Sequence, residues 1–368
     1  MTDWFGNRSH ERFIFRRVSY PGYLELENYE SIIGGSLELS ALSPVKVSGS
    51  LSFTGEEVPN DHDLVRVYYQ FEDDNGDVSK NVLATMFFSV SEPVYRCAIV
   101  EGTMECSSVL VLLQRRKYGL PYTVQAGVNA VNKAVEIIKS LNLPVVATKS
   151  NYVLGSDHTF EPDDDYLTIV NWLLEAAGFS SAFVDPMGNV VVEPYIEPTE
   201  REARYVFRDD EQSIMLPEVS TPTDYQDTPN VVRLRHMKDS ETIWASAVNV
   251  DPLSKASTVS RGYENTLTED VSELEGSTQA QMVANLKTLA LKKLIQNSAE
   301  IEKVTMTHCW LPIAPNDSVL VDYRLAGIKW RGAVTNAQIE LTPAMPCVLS
   351  LRNFVRTGIK TTVEGGAL

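Results

Sequence analysis

Residues 278–298 read TQAQMVANLKTLALKKLIQNS, and the ninety or so residues that open with this stretch decide the fold. Their first apolar side chains recur at the spacing of an amphipathic helix. Those close to one stripe are Val283, Leu286, Leu289, Ala290 and Leu294. Four strand-like runs follow: KVTMTH (303–308), DSVLVDYRL (317–325), IKWRGAVTNAQIEL (328–341) and CVLSLRNFV (347–355). A helix that leads into an antiparallel barrel, with no nucleophile or ligand cluster, indicates a part that assembles.

Length and composition set the class of protein. At 368 residues, with 43% apolar and 22% charged residues, the chain is expected to form two or three domains with real cores. No apolar run approaches the ~20 residues that a membrane helix needs, so no membrane span is expected. The N-terminal MTDWFGNRSHERF has no apolar segment of signal-peptide type, which predicts synthesis in a cytoplasm.

The formal net charge of −17 argues against a broad basic surface for nucleic acid. Two interpretations stay open. The charge keeps the protein soluble, or it forms an acidic wall past which nucleic acid slides without sticking.

The N-terminal part, residues 1–117, is predicted to be all-β. Its clearest element is a hairpin at 63–90, DLVRVYYQFEDDNGDVSKNVLATMFFSV, in which apolar residues alternate up to a turn at Asp74, Asn75 and Gly76. The apolar run VLVLLQRRKY (109–118) predicts a covered strand that closes this part.

Residues 118–203 change character and predict a small α+β module. One helix has its apolar face at 128–141 and ends before Pro144. A second helix begins after Asp163, Asp164 and Asp165 and ends at Gly178. A hairpin that turns at 185–188 follows.

From residue 204 the β pattern returns in ARYVF, NVVRLRH and TIWASAVNV, before a polar stretch at 251–277 that predicts loops. The expected fold class is therefore α+β, mainly β, with two similar β-barrels and a helical α+β module between and beside them. The expected domains are 1–117 (first barrel), 118–203 with 251–298 (middle module), 204–250 with 299–358 (second, discontinuous barrel), and 359–368 (C-terminal tail).

No catalytic, cofactor-binding or metal-binding residue is assigned, and no cofactor is expected. The histidines have no partner at metal-ligand spacing, and zinc-hydrolase, Cys-x-x-Cys, nucleophile-elbow and phosphate-loop motifs do not occur. Paired carboxylates are uninformative among 49 acidic residues. The five histidines are His10, His62, His158, His236 and His308.

Two acidic runs have plain structural explanations. Residues 72–77 (EDDNGD) resemble a calcium loop, but the first and twelfth ligand positions fall on Phe71 and Val82, so a hairpin turn explains the run better. The run 163–165 either caps a helix, the favoured interpretation, or binds a cation.

Four cysteines in so long a chain form no disulfide framework. Cys97 and Cys106 flank a turn and either bridge or, as we favour, stay free and mostly buried, like Cys309 and Cys347. The tryptophans in strand-like runs predict core or subunit contacts in preference to a sugar platform. They are Trp244, Trp310 and Trp330.

Three passages resemble the baseplate hub, or tail-hub, proteins of tailed bacteriophages and related contractile injection machines. They are the hairpin at 63–90, the helix and turn at 166–198, and the helix with its following strands at 282–341. The turn at 314–317 reads Ala-Pro-Asn-Asp, where a glycine before the aspartate is commoner in this family. That departure weakens the match locally and leaves the strand pattern unchanged.

The resemblance implies a homotrimer in which each subunit contributes two tube-type barrels to a pseudo-sixfold ring. The ring would join a hexameric tail tube, or a distal tail ring protein, to a threefold spike, fibre or tape-measure protein. Genomic DNA would pass through without specific binding. The expected place is the tail tip of the virion, after assembly in the host cytoplasm.

Other functions stay open beside this one. A distal tail ring protein would be hexameric, so subunit number separates it from a hub. A cell-wall hydrolase would need two carboxylates at working separation in a pocket. A carbohydrate-binding module would need an exposed tryptophan.

Overall fold

The computed structural model describes residues 8–196, 200–211, 213–220, 228–238, 241–271, 274, 278–299, 303–353 and 360–367. Strands cover 49% of the chain and helices 16%. The expected mainly β, α+β class is therefore confirmed.

The first part of the chain contains seven strands. They are β1 (Ser9–Val18), β2 (Glu25–Asn28), β3 (Ile32–Ser40), β4 (Val47–Gly55), β5 (Leu64–Glu72), β6 (Val78–Arg96) and β7 (Ile99–Ser108). β5 and β6 are the predicted hairpin, and the Asp73 carboxylate accepts hydrogen bonds from the backbone N–H groups of Asn75 and Asp77 in its turn.

The middle module alternates helices with short strands. Its elements are α1 (Leu110–Arg115), β8 (Tyr122–Val124), α2 (Ala130–Ser140), β9 (Val145–Ala147), β10 (His158–Phe160), α3 (Tyr166–Ala176), β11 (Phe183–Val184) and β12 (Val190–Val192). The two predicted helices are confirmed as α2 and α3.

The run at 109–118 is not the predicted strand, because residues 110–115 form the helix α1. Leu110 and Leu113 are fully buried in the module core, together with α2 and α3. Short apolar runs fit a buried strand and a buried helix equally well, so the packing partner decides between them.

The last part of the chain holds ten strands and two helices. They are β13 (Tyr205–Arg208), β14 (Met215–Ser220), β15 (Val231–Lys238), β16 (Glu241–Asn249), α4 (Thr258–Arg261), β17 (Thr266–Asp270), α5 (Gln279–Ala299), β18 (Lys303–Cys309), β19 (Ser318–Tyr323), β20 (Ile328–Glu340), β21 (Pro346–Asn353) and β22 (Thr361–Ala367).

One 13-stranded sheet runs through both expected barrels. Eleven strands follow the order β14-β18-β21-β20-β3-β4-β7-β6-β5-β1-β2. The other two branch from β20: β19 pairs with β20, and β13 pairs with β19. The sheet is not closed. The two sets of strands are thus joined edge to edge through β3 and β20, where the sequence predicted separate barrels.

The two halves of this sheet repeat one strand order. In the first half the order is β1-β5-β6-β7-β4-β3, and in the second it is β13-β19-β20-β21-β18-β14. Corresponding strands also follow each other in the same order along the chain. The one difference in direction is that β13 runs parallel to β19, whereas β1 is antiparallel to β5.

The junction of the halves is an antiparallel pairing with a common core. Leu37 of β3 lies opposite Ile339 of β20, and both are buried. Across the same core the rings of Tyr69 and Trp310 meet edge to face, with centroids 5.7 Å apart. Since apolar burial is the main favourable contribution to folding, this core holds the two halves together.

A separate four-stranded sheet has the order β17-β15-β16-β22 and is covered by α5. The sequence grouped β15 and β16 with the second barrel and left 359–368 as a tail. Instead β16 pairs with β22 over seven residues, and β17 forms within the expected loop. The helix side chains that α5 buries here are Met282, Leu286, Ala290 and Leu294.

The chain passes between the second half of the large sheet and this small sheet three times. It leaves the large sheet after β14, returns at β18, and leaves again after β21 to form β22. The division of the chain into independently folding domains stays a prediction.

Gly35 at the junction strand has a φ of +151°, and a Cβ placed on it would lie 2.1 Å from the Ser50 carbonyl oxygen. We expect Gly35→Ala to lower the free energy of unfolding by about 3 kcal/mol, because the methyl group forces the strand backbones apart. Gly155→Ala is the matched control, since nothing lies within 4 Å of the added carbon. Urea unfolding measures both variants, and equal stabilities would contradict the prediction.

Candidate functional site

The five histidines lie in separate places and do not form one site. His10 and His62 are exposed, with side-chain exposures of 80% and 89%. The ring of His158 stacks on Trp172 with centroids 3.9 Å apart, and His236 Nδ1 lies 2.7 Å from the Val271 carbonyl oxygen. Within the described ranges no three His, Cys, Asp or Glu side chains come together as a group able to hold a metal ion.

His308 is the deeply buried member of this set, at 1% exposure. Its Nδ1 donates to the Cys309 carbonyl oxygen over 2.6 Å, and its ring centroid lies 4.9 Å from that of Phe207. Nε2 has no hydrogen-bond partner among the described residues. Burial, with a smaller contribution from the positive charge of Arg8, lowers the pKa of His308 to about 4. The imidazole is therefore a neutral core group.

The acidic runs serve local structure. The Asp165 carboxylate accepts a hydrogen bond from the Thr168 N–H at the start of α3, over 2.7 Å. Asp164 accepts one from the Glu161 N–H over 2.8 Å. Asp165 thus caps the helix, as the sequence favoured, and Asp164 holds the turn before it.

The four cysteines are free thiols: Cys106 and Cys347 are buried, Cys309 is half-buried and Cys97 is exposed. Cys97 is exposed at the turn between β6 and β7. Burial raises the pKa of Cys106 and of Cys347 to about 12, so both are inert in neutral solution. The expectation of mostly buried thiols thus fails for Cys97.

Three tyrosine rings of the middle module stack on one another. Tyr118 stacks on Tyr122 at 3.9 Å and on Tyr166 at 4.5 Å, while Lys133 Nζ lies 6.0 Å from the Tyr122 ring centroid. The rings thus cover one another. Trp310 is buried in the common core, as the sequence predicts.

One cleft, of about 330 Å³, lies in the second half of the large sheet. It is lined by β13, by β14 at Met215, and by the segment between these strands. Arg204 at its edge forms an ion pair of 2.8 Å with Asp317. The cleft therefore opens between two edge strands. Asp210 is the single carboxylate among its described lining residues, whereas glycoside hydrolysis uses a pair.

Apolar side chains are exposed at several points of the described surface, among them the β6–β7 turn. Val94, Tyr95 and Ile99 are 48%, 70% and 52% exposed. We call these three side chains the tip surface. The pairing of β6 with β7 places Val94 and Ile99 on one face of the hairpin and Tyr95 on the other. The sequence did not reveal this surface, because an apolar residue in a strand is read as buried.

A buried arginine holds the middle module against the first half of the sheet. Arg66 of β5 donates to the Thr85 hydroxyl at 2.8 Å and to the Met187 carbonyl at 2.9 Å. Its third contact, at 2.7 Å, is the Glu25 carboxylate. The Thr85 hydroxyl in turn donates to the Pro186 carbonyl over 2.8 Å. The turn at 185–188 is thus fixed to β5 and β6.

The charge of Glu25 is stabilised in the same network. The hydrogen bond from the Tyr68 hydroxyl, followed by that from Arg66, holds the pKa of Glu25 below its usual range. Sequence alternation placed Arg66 and Tyr68 on the polar face of β5. It gave no sign that the module would cover that face.

We expect Arg66→Met to destabilise the protein by about 3 kcal/mol, because it leaves the Met187 carbonyl without its donor and removes the buried cation that pairs with the Glu25 carboxylate. Arg12→Met is the control, since Arg12 makes an exposed hydrogen bond to Gln70. Denaturant unfolding measures the loss. A variant as stable as the Arg12→Met control would show that the arginine does not hold the module.

We expect a loss of stability in acid that traces to His308. Its folded pKa lies below the unfolded value, so its contribution is complete above the unfolded pKa of about 6.5 and is lost as the pH falls towards 4. Between neutral pH and pH 5 the loss is about 2 kcal/mol. Unfolding of the wild type and of His308→Leu across this range measures it, with His62→Asn as the control.

An NMR titration of His308 in the wild-type protein checks the same point without a variant. A folded-state pKa near the unfolded value would contradict the prediction.

No helix in the described part of the chain is both long enough and apolar enough to cross a membrane. No family model and no curated protein matches the chain.

Solved structures do match its fold. The 43 kDa tail protein of prophage MuSo2 from Shewanella oneidensis superposes with a TM-score of 0.67 at 10% identity, over 92% of this chain and 97% of that chain. A tail protein from Neisseria meningitidis MC58 gives a TM-score of 0.64 at 14% identity, over 94% and 97%. A chain of the half-lidded Francisella PdpA–VgrG complex gives 0.57 at 8% identity, over 96% of this chain and 60% of that one.

At sequence identities this low, the matches show a shared fold and do not show shared partners. The resemblance noted in the sequence is confirmed at this level. The chain has the fold of phage and prophage tail proteins.

Proposed function

We propose that the chain is the hub of a phage-type tail, a structural protein that adapts a hexameric tail tube to a threefold spike or fibre. The observation that carries the proposal is the repeated strand order of the two sheet halves, in a chain that matches tail proteins over 97% of their length. Three copies would present six similar halves, and so match a sixfold tube on one side and a threefold partner on the other.

The role is structural and not enzymatic. Three side chains with catalytic potential have structural roles: Asp165 caps a helix, His308 lies in the core and Asp73 holds a turn. The expected partners are further copies of the chain, a tail tube or distal ring protein, and a spike, fibre or tape-measure protein. The expected place is the tail tip of the virion, after assembly in the host cytoplasm.

The net charge of −17 fits a channel through which DNA moves. An acidic wall repels the phosphate backbone and prevents the counterion-releasing contacts that would hold it. The proposal therefore includes acidic residues along the inner surface of the ring. A neutral or basic inner surface in an assembled ring would remove this part.

We expect the purified protein, alone or mixed with the tail proteins encoded beside it, to form a species of about three times the 41.0 kDa chain mass. Light scattering measures that mass. A hexamer would favour a distal tail ring protein instead, and a chain that stays monomeric with every neighbour would overturn the assembly role.

A further inference from the structure

The small sheet is covered by α5 on one face and leaves part of the other face open. Its strands lie in the order β17-β15-β16-β22, and the residues that alternate towards α5 include Leu234 and Ile243. The residues between them point to the opposite face. There Arg235 and Met237 of β15 are exposed, Met237 at 77%. We call the side that carries Arg235, Trp244 and Met237 the open face.

Trp244 of β16 lies at the centre of the open face. In register it stands between Arg235 of β15 and Gly366 of β22. Asp270 of β17 lies on the far side of Arg235. The tryptophan side chain is half-buried and does not belong to the core beneath α5. The sequence favoured a core or subunit contact for this residue, and the register places it outside the core of its own sheet.

The neighbours of Trp244 on the sheet are small or drawn aside. Gly366 has no side chain, and a Cβ placed on it would lie 3.7 Å from the indole Nε1, so the ring extends towards β22. The next residues of β16 on this face are small and polar: Thr242 and Ser246. Arg235 leans away towards β17, because its guanidinium donates two hydrogen bonds to the Asp270 carboxylate, at 2.9 and 3.3 Å. The adjoining strands therefore place no large side chain over the indole.

The indole also has a hydrogen-bond donor to offer. Within the described part of the chain the Trp244 Nε1–H has no acceptor, and this nitrogen is not sealed from solvent. A tryptophan that is apolar over its ring and polar at one edge suits a partner with both characters.

The cations beside the indole are already paired. Arg235 is held by Asp270, and the Arg233 guanidinium lies 3.1 Å from the Glu264 carboxylate. Glu364 of β22 adds a further carboxylate on this face. Each ion pair still has unused capacity, since a guanidinium and a carboxylate have more hydrogen-bonding positions than one pairing occupies. The open face thus presents fixed donors and acceptors beside a flat apolar ring.

Two other kinds of partner fit this face less well. A phosphate backbone is bound by unpaired cations, whereas both arginines here are neutralised, in a chain of net charge −17. An apolar protein surface would leave the indole N–H and the unused positions of the ion pairs without partners, which costs free energy. Sugar hydroxyl groups both donate and accept, so they suit a face whose charges are already paired.

We propose that the open face binds a neutral carbohydrate. The C–H face of one sugar ring stacks on the indole of Trp244, whose negative π face attracts the C–H groups. The Nε1–H donates to an oxygen of that sugar, and hydroxyl groups of a further sugar bond to the Arg235–Asp270 pair. Because β17 lies two strands from β16, about 10 Å away, the occupant is a disaccharide or longer. This binding site goes beyond the hub role and does not depend on it.

Saturation-transfer NMR on the full chain tests the proposal with three neutral probes: maltotetraose, cellotetraose and chitotetraose. We expect saturation transfer to at least one probe, with a Kd on the order of 1 mM, because one stacked ring and a few hydrogen bonds bury little area. Trp244→Ala should weaken that binding about tenfold or more, since it removes the apolar surface that the sugar covers. Transfer to none of the probes would overturn the proposal.

Gly366→Val tests the site without removing the tryptophan. The added Cβ meets the indole Nε1 at an ordinary contact distance of 3.7 Å, so the strand should form while the new side chain fills the space beside the ring. We expect a loss of binding as large as that of Trp244→Ala. Tyr95→Ala is the matched control, since it removes an aromatic ring that is 70% exposed at the β6–β7 turn. It should bind the probe as the wild type does.

Loss of binding in both variants, with thermal unfolding like that of the wild type, would support the site. If Trp244→Ala does not fold, Gly366→Val decides alone. Equal binding by the wild type and by folded Gly366→Val would place the sugar elsewhere and overturn the proposal. Binding of duplex DNA in place of the sugars, abolished by Trp244→Ala, would assign the face to nucleic acid instead. A chain that binds the sugar but never assembles would leave this inference standing while the hub role fails.

Discussion

The antiparallel pairing of β3 with β20 is the constraint on which the rest of the molecule depends. It fuses two strand sets into one sheet and lets Tyr69 and Trp310 share one core. On the other side of β3, Gly35 permits the backbone of β4 to approach, where a Cβ would lie 2.1 Å from the Ser50 carbonyl oxygen. Two small barrels would each bury a limited core, whereas a joined sheet buries a larger fraction of its surface.

The arrangement of the other two units follows from that sheet. The middle module covers the outer face of β5 and β6. There the Arg66 network supplies hydrogen-bond partners to polar groups that burial removes from water. The small sheet with α5 has its own core, built from Leu234, Ile243 and Leu286 among others. Neither unit buries the tip surface, whose three side chains are about half exposed or more.

Local elements were predictable where the chain carries strong local signals. The Asn-Gly turn and the alternation of Val65, Val67 and Tyr69 predicted the β5–β6 hairpin, and the apolar spacing of 278–298 predicted α5. Asp165 before an apolar run predicted the start of α3. These signals depend on residues that are near one another in sequence.

Pairing partners were harder to predict, because period-2 alternation identifies a strand without naming its neighbour. β15 and β16 were recognised as strands and placed in the wrong sheet. β22, with the sequence TTVEGGA, carries a weak strand signal and forms because β16 offers a long edge. The Arg66 network joins residues 25, 66 and 187, which no spacing rule connects.

The three passages of the chain between the large sheet and the small sheet have a consequence for covalent connectivity. A unit attached by one connection is released when that connection is cut. The small sheet would stay joined to the second half of the large sheet after a cut at any one of its three connections, so a single proteolytic nick would not free it.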